Sequence, residues 1–150
     1  ILKANGIPVK VLLVGGGNRE RDLKKQAKDL KIEEDVIITG KQIGVTKYLD
    51  AMDVFMFPSR SEGFGLSLLE AEANGLPCVV SDRIQPEVKV LNGVLSVNLN
   101  EPIQCWVEAV EEAKRLGRSK TANEILGKKG MSEATCYETV WKIYNEVLSK

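Results

Sequence analysis

Two carboxylates, Glu62 and Glu70, stand eight positions apart around Gly63-Phe64-Gly65 and the apolar run Leu66-Ser67-Leu68-Leu69. A carboxylate offers two oxygens to hydroxyl donors. The glycines between them let backbone approach a ligand closely. They fall where an apolar strand, Val54-Phe55-Met56-Phe57, halted by Pro58-Ser59, gives way to a helix. That helix is predicted to begin near Gly65 and to stop before Gly75-Leu76-Pro77. Amides at a helix N-terminus lack intrahelical partners and carry roughly half a positive charge, so this corner can receive an anion such as a diphosphate. Glu70 then sits about one and a half turns in, at roughly 3.6 residues per turn. Flanked by Leu69 and Ala71, it is costly to bury without hydrogen bonds, and a ribose diol would supply two donors. Each residue also has an ordinary structural reading. Glu70 can be a core carboxylate paired with a lysine, and Phe64 can be core packing. Glu62 can be a solvated loop acid that complements the helix dipole, worth under about 1 kcal/mol.

The elements that must position this corner alternate. Val9-Lys10-Val11-Leu12-Leu13-Val14 ends at Gly15-Gly16-Gly17, and its continuous apolarity predicts a parallel strand buried on both faces. A helix over Arg19 to Lys31 follows, with Leu23, Ala27 and Leu30 at helical spacing. Then come a strand at Val36-Ile37-Ile38-Thr39-Gly40, a short helix from Val45 to Met52, and the Val54 to Phe57 strand. The Leu66 helix, a Cys78-Val79-Val80 strand and a Gly93 to Leu99 strand complete a Rossmann-like, doubly wound parallel α/β layer. Beyond Glu101 the pattern is helical: Ile103 to Leu116 with Trp106, Val107 and Val110 on one face, Thr121 to Gly130, and Ser132 to Leu148. The last helix has N-cap chemistry in Ser132 and Thr135, and an apolar stripe of Tyr137, Val140, Trp141, Tyr144 and Leu148. The stripes of Trp106 and Trp141 read as core or as a docking face. In open α/β sheets ligands bind at the carboxyl ends of strands. The loops at Gly15 to Gly17, Thr39 to Gly44 and Ser59 to Gly65 all fall there, so one ligand could touch all three.

Composition removes several classes of function. The 150 residues, 43% of them hydrophobic, read as one globular domain. Lysine plus arginine equals aspartate plus glutamate at 21 each, so nucleic-acid binding has no electrostatic footprint. No apolar run approaches the roughly 20 residues of a membrane span, and no signal peptide is evident. Histidine is absent, which removes Ser-His and Cys-His nucleophile systems and most zinc sites. Cys78, Cys105 and Cys136 are odd in number, widely spaced and without metal-ligand pattern, as expected of reduced cysteines in a cytoplasm, with Cys78 a buried strand residue. The glycines at 15 to 17 invite a dinucleotide fingerprint, but Glu20 holds the third glycine's place and no acid ends the second strand. A tight strand-to-helix turn is the ordinary reading of them.

The stretch Glu62 to Glu70 resembles the Glu-x7-Glu signature of retaining glycosyltransferases of the GT-B architecture, the family-4 group. Tyr48 to Ser61 resembles that family's lead-in, and Gly75-Leu76-Pro77-Cys78-Val79-Val80-Ser81 its exit strand. The resemblance covers residues 9 to 100 well and the helical tail loosely. It implies a donor-binding C-terminal half that takes a nucleoside diphosphate sugar as substrate, with no metal and no other cofactor. Sugar would pass to a hydroxyl acceptor with retention, in polysaccharide or glycolipid synthesis. The catalytic role falls to Glu62 beside the transferred sugar. Gly63, Phe64, Gly65 and Leu66 would face sugar and diphosphate, and Glu70 would hold the ribose. Gly16 would lie near the nucleotide, and Gln42 and Ile43 belong to a loop whose backbone reads the nucleobase.

Ile1 is not a methionine, and Ile1 to Gly6 reads as the tail of a helix, as in a piece of a longer protein. The family's diphosphate-clamping Arg and Lys and its acceptor domain would precede Ile1. The piece alone is therefore expected to bind nucleotide weakly and to transfer nothing. Membrane contact would come only through the preceding domain, at the cytoplasmic face. The family's Gly-Gly after the exit strand is replaced by Asp82-Arg83-Ile84-Gln85-Pro86-Glu87. That departure disfavours a GT-B epimerase, and no pyridoxal-bearing lysine segment suggests a phosphorylase. A nucleotide-sugar-binding module without catalysis stays open.

Overall fold

The computed structural model describes residues 1–148, without the side chains of Glu133, Ala134, Cys136, Val140, Ile143, Glu146 and Leu148. The expectations for Cys136, and for Val140 and Leu148 in the stripe of the last helix, thus lie outside the described residues. The chain forms two compact units, Ile1–Met52 and Asp53–Lys150.

In the first unit β1 (Val11–Leu13) pairs in parallel with β2 (Val36–Ile38), Leu12 opposite Ile37. Helix α1 (Glu20–Asp29) joins them and α2 (Thr46–Asp50) follows. Asp35 accepts from both Lys3 and Lys10, which fastens the first turns and the start of β1 to the start of β2. One expectation is corrected here. Val11 of β1 and Ile37 of the paired β2 are exposed, so this sheet is not buried on both faces: strand pairing satisfies backbone groups, and only a covering layer buries the side chains of a face. In α1 only Ala27 is buried, while Leu23 and Leu30 stay exposed. Leu23 and Ala27 are the only apolar residues among its ten, too few for the broad stripe that docks a helix.

The second unit is a three-stranded parallel sheet in the order β3-β4-β5: Phe55–Phe57, Cys78–Ser81 and Val94–Val97. The middle strand β4 is buried at every residue, as a continuous apolar strand of a parallel sheet should be. Side chains alternate along a strand. Val79 joins Val97, Trp106 and Ala113 in a core cluster under α4 (Ile103–Leu116). Cys78 and Val80 therefore face the other side, where α3 (Leu66–Ala73) packs with Leu68 and Ala71 buried. Helices cover both faces of this sheet, the α/β Rossmann-like arrangement expected from the alternation. Helix α5 (Ala122–Lys128) packs on α3, and α6 (Glu133–Leu148) ends the described chain. Among the described residues no helix is long and apolar enough to cross a membrane.

The two tryptophans part company. Trp106 is core, whereas Trp141 is about half exposed and stacks with Tyr137 and Tyr144 at centroid separations of 6.4 and 5.9 Å. The Ser132 hydroxyl accepts from the Thr135 amide at 3.2 Å, the N-cap bond expected there. Cys78 and Cys105 are free thiols, and burial raises the Cys78 thiol far above its ordinary titration range.

Candidate functional site

Strand β3 ends at Phe57 and α3 begins at Leu66, so residues 58–65 form the corner that carries Glu62. Gly65 is the N-cap of α3 with φ 77° and ψ 42°, a left-handed conformation that L side chains adopt only with strain. Its α-carbon faces Phe57 and Val88, with no room problem for a methyl group but a conformational one. No side chain caps this helix end. Among the described residues the amides of Gly63, Phe64, Gly65 and Leu66 have no acceptor. A side chain at Gly63 would meet open space. The corner thus presents unpartnered N–H groups beside an open volume, at the positive end of a helix.

Glu62 is half-buried, and its Oε1 accepts from the Ser59 hydroxyl at 2.6 Å. Its second oxygen has no partner among the described residues. Ser59 is itself fixed, because the fully buried Ser81, at the end of β4, donates its hydroxyl to the Ser59 carbonyl. Gln85, on the loop after β4, donates its side-chain amide to the carbonyls of Gly63 and Glu62 at 3.1 and 3.4 Å. Sequence reasoning singled out none of Ser59, Ser81 and Gln85 as site residues. Ser59 had a local signal, a short hydroxyl three residues before the acid; Ser81 and Gln85 meet the corner only because β3 and β4 are parallel neighbours.

Glu70 corrects an expectation. It is exposed rather than buried, and no lysine pairs with it; its carboxylate has no hydrogen-bond or ion-pair partner among the described residues. The buried acid is Glu72, two residues on and some 200° around the helix. Its Oε1 accepts from the amides of Leu91 and Val90 at 2.7 and 2.8 Å, while Oε2 has no partner among the described residues. Burial raises the Glu72 pKa, against the opposing pull of those two amides. Phe64 is 48% exposed and so is not core packing, and Leu66 is exposed beside it.

The remaining expected residues belong to the first unit. Gly15 bridges to Gly40, its amide donating to the Gly40 carbonyl at 3.1 Å, and a side chain at Gly16 would meet the Lys41 backbone nitrogen at 3.0 Å. Close backbone approach is thus one reason for glycine at 16. Gln42 closes its loop by donating to the Thr39 carbonyl at 2.7 Å, and Ile43 is 97% exposed. No group of three or more His, Cys, Asp or Glu side chains is placed to hold a metal among the described residues.

Comparison with known proteins adds the family. The family model described as glycosyl transferases group 1 matches residues 1–127. EpsF of Bacillus subtilis (strain 168) is 31% identical over 147 residues, 96% of this chain and 38% of that protein. The O-antigen biosynthesis glycosyltransferase WclY of Escherichia coli is 29% identical over 91% of this chain and 40% of that protein. An E. coli UDP-Gal:alpha-D-GlcNAc-diphosphoundecaprenol alpha-1,3-galactosyltransferase is 38% identical over 55% of this chain and 22% of that protein. The chain thus spans well under half the length of the curated relatives it matches. Among solved structures, a glycosyltransferase from Rickettsia africae ESF-5 superposes with a TM-score of 0.73 at 17% identity, over 97% of this chain and 42% of that one. The pneumococcal O-GlcNAc transferase GtfA, solved with UDP and GlcNAc, gives 0.71 at 19% identity, over 99% and 31%. At these identities the likeness is one of fold.

Proposed function

The chain belongs to the glycosyl transferases group 1 family, and we propose that it is the donor-binding half of a retaining glycosyltransferase that uses a nucleoside diphosphate sugar. The observation that carries this reading is the corner at residues 58–66: an acid held by Ser59, four unpartnered amides and an unpaired Glu70 on the helix they open. The exposed Glu70 carboxylate, without a partner among the described residues, is available to accept from the two ribose hydroxyls without breaking any bond of its own. The amides of Gly63 to Leu66 and the positive end of α3 stabilise charge as it develops on the departing diphosphate. Glu62, oriented by Ser59, keeps its second oxygen for the sugar hydroxyls close to the anomeric carbon. In the first unit, Ile43 is exposed and Gln42 holds the backbone of its loop. No cofactor and no metal are invoked. With histidine absent, the leaving phosphate accepts the acceptor hydroxyl's proton, and retention follows from attack on the face it leaves.

Polysaccharide assembly at the cytoplasmic face of a membrane fits the reading, with the acceptor supplied by a domain beyond this chain. The relatives named for O-antigen synthesis and for transfer to a diphosphoundecaprenol acceptor support it. A test separates the two acids in the full-length protein. Glu70→Ala is expected to weaken uridine or guanosine diphosphate binding at least ten-fold by calorimetry. Glu62→Gln is expected to cut turnover a hundred-fold or more while nucleotide affinity stays within about three-fold. Unchanged affinity in Glu70→Ala, or equal losses of affinity and turnover in Glu62→Gln, would remove these roles.

A further inference from the structure

We infer that Gln85 is a positioning residue for sugar transfer, acting through the backbone of Glu62 and Gly63; the inference rests on the donor-site reading above. Its side-chain amide donates to the Gly63 carbonyl at 3.1 Å and the Glu62 carbonyl at 3.4 Å. One Nε2 thus holds two successive carbonyls on the same side of the chain. A trans peptide is planar, with its carbonyl and the following N–H pointing in opposite directions. Fixing the Glu62 and Gly63 carbonyls toward Gln85 therefore turns the N–H groups of Gly63 and Phe64 together to the other side. Successive amides turned the same way make a concavity that receives an anion. Both amides lack acceptors among the described residues, and a side chain at Gly63 would meet open space.

The residue type fits the task. Gly63 has the freest backbone of any residue and open space where a side chain would stand, so the two peptide planes need an external hold. A carboxylate in place of the Gln85 amide would offer only acceptors to two carbonyl acceptors. The hold also comes from a second strand end: Ile84, beside Gln85, is buried, and Pro86 sets the 3-10 turn Pro86–Val88 that follows. Gln85 itself is exposed, so substitutions there leave the core untouched.

The experiment uses the full-length protein with a panel of uridine and guanosine diphosphate sugars. Gln85→Met keeps the reach and removes the donor. Gln85→Glu keeps the shape and is acceptor-only when ionised. Both are expected to lower kcat at least ten-fold at pH 7.5, with a clearly smaller loss of uridine or guanosine diphosphate affinity and unchanged Tm. As pH falls to about 4, at or below the ordinary glutamate pKa of about 4.3, the Gln85→Glu carboxyl gains an O–H donor. Its activity relative to the parent should then recover, while Gln85→Met stays low. Parent-like kcat in both variants, losses of affinity in proportion to kcat, or no recovery of Gln85→Glu at low pH would each overturn the inference alone. A parent that turns over no nucleotide sugar would overturn the donor-site reading and the inference with it.

Discussion

Two glutamates two positions apart show how little a residue's type says about its task. Glu70 is solvent-facing and unpaired, whereas Glu72 is wholly buried and accepts from the Val90 and Leu91 amides. Burial raises the Glu72 pKa, so the folded protein binds that proton more tightly than the unfolded chain does. Stability from this group is complete below the ordinary carboxyl range, near pH 4–5, and falls as pH rises through the raised folded value. Glu72→Gln keeps the oxygen that accepts from both amides and removes the buried charge. Its denaturation midpoint is expected to vary less with pH than the parent's, with the advantage of the variant growing from pH 5 to pH 8. A parent curve that climbs over that interval relative to Glu72→Gln would show the sign to be wrong. The two acids of the Glu62 and Glu70 pair were legible from the chain because their spacing and glycine context are local. Ser81 and Gln85 were not, because neither is near Glu62 in sequence.

Element boundaries followed the punctuation closely. Helix α3 starts after Gly65 and stops at Asn74, just before Gly75, and α4 spans the predicted Ile103–Leu116. Gly65 is where an element depends on one residue type. Its left-handed N-cap conformation should make Gly65→Ala cost about 1–2 kcal/mol in urea unfolding. The added methyl meets Phe57 and Val88 only at ordinary contact distance, 3.8 Å, so strain and not a clash sets the loss. Gly65→Asn, which tolerates that region better, is expected to lose less; equal losses would point to crowding instead. Strand β1 and helix α1 mark where periodicity misleads, since apolar character in a short element does not bury it unless neighbours on both sides do.

At the scale of the whole molecule, the second unit has its sheet covered on both faces, with β4 at the centre between β3 and β5. Native-state hydrogen exchange is expected to be slowest at Val79 and Val80, and faster along β1 and β2, whose side chains are partly exposed. Uniform protection across all five strands would contradict this ordering. The amino-acid order alone determined the alternation of strands and helices, the parallel sheet and the corner where two acids flank a glycine hinge. Each of these rests on contacts within a few residues: a turn, a cap, a run of apolar side chains. Only the tertiary structure decided which acid is buried, which tryptophan is core and which distant side chains hold the corner in shape. Those outcomes depend on strand ends and helix faces meeting across tens of residues, and local preference carries no record of that meeting.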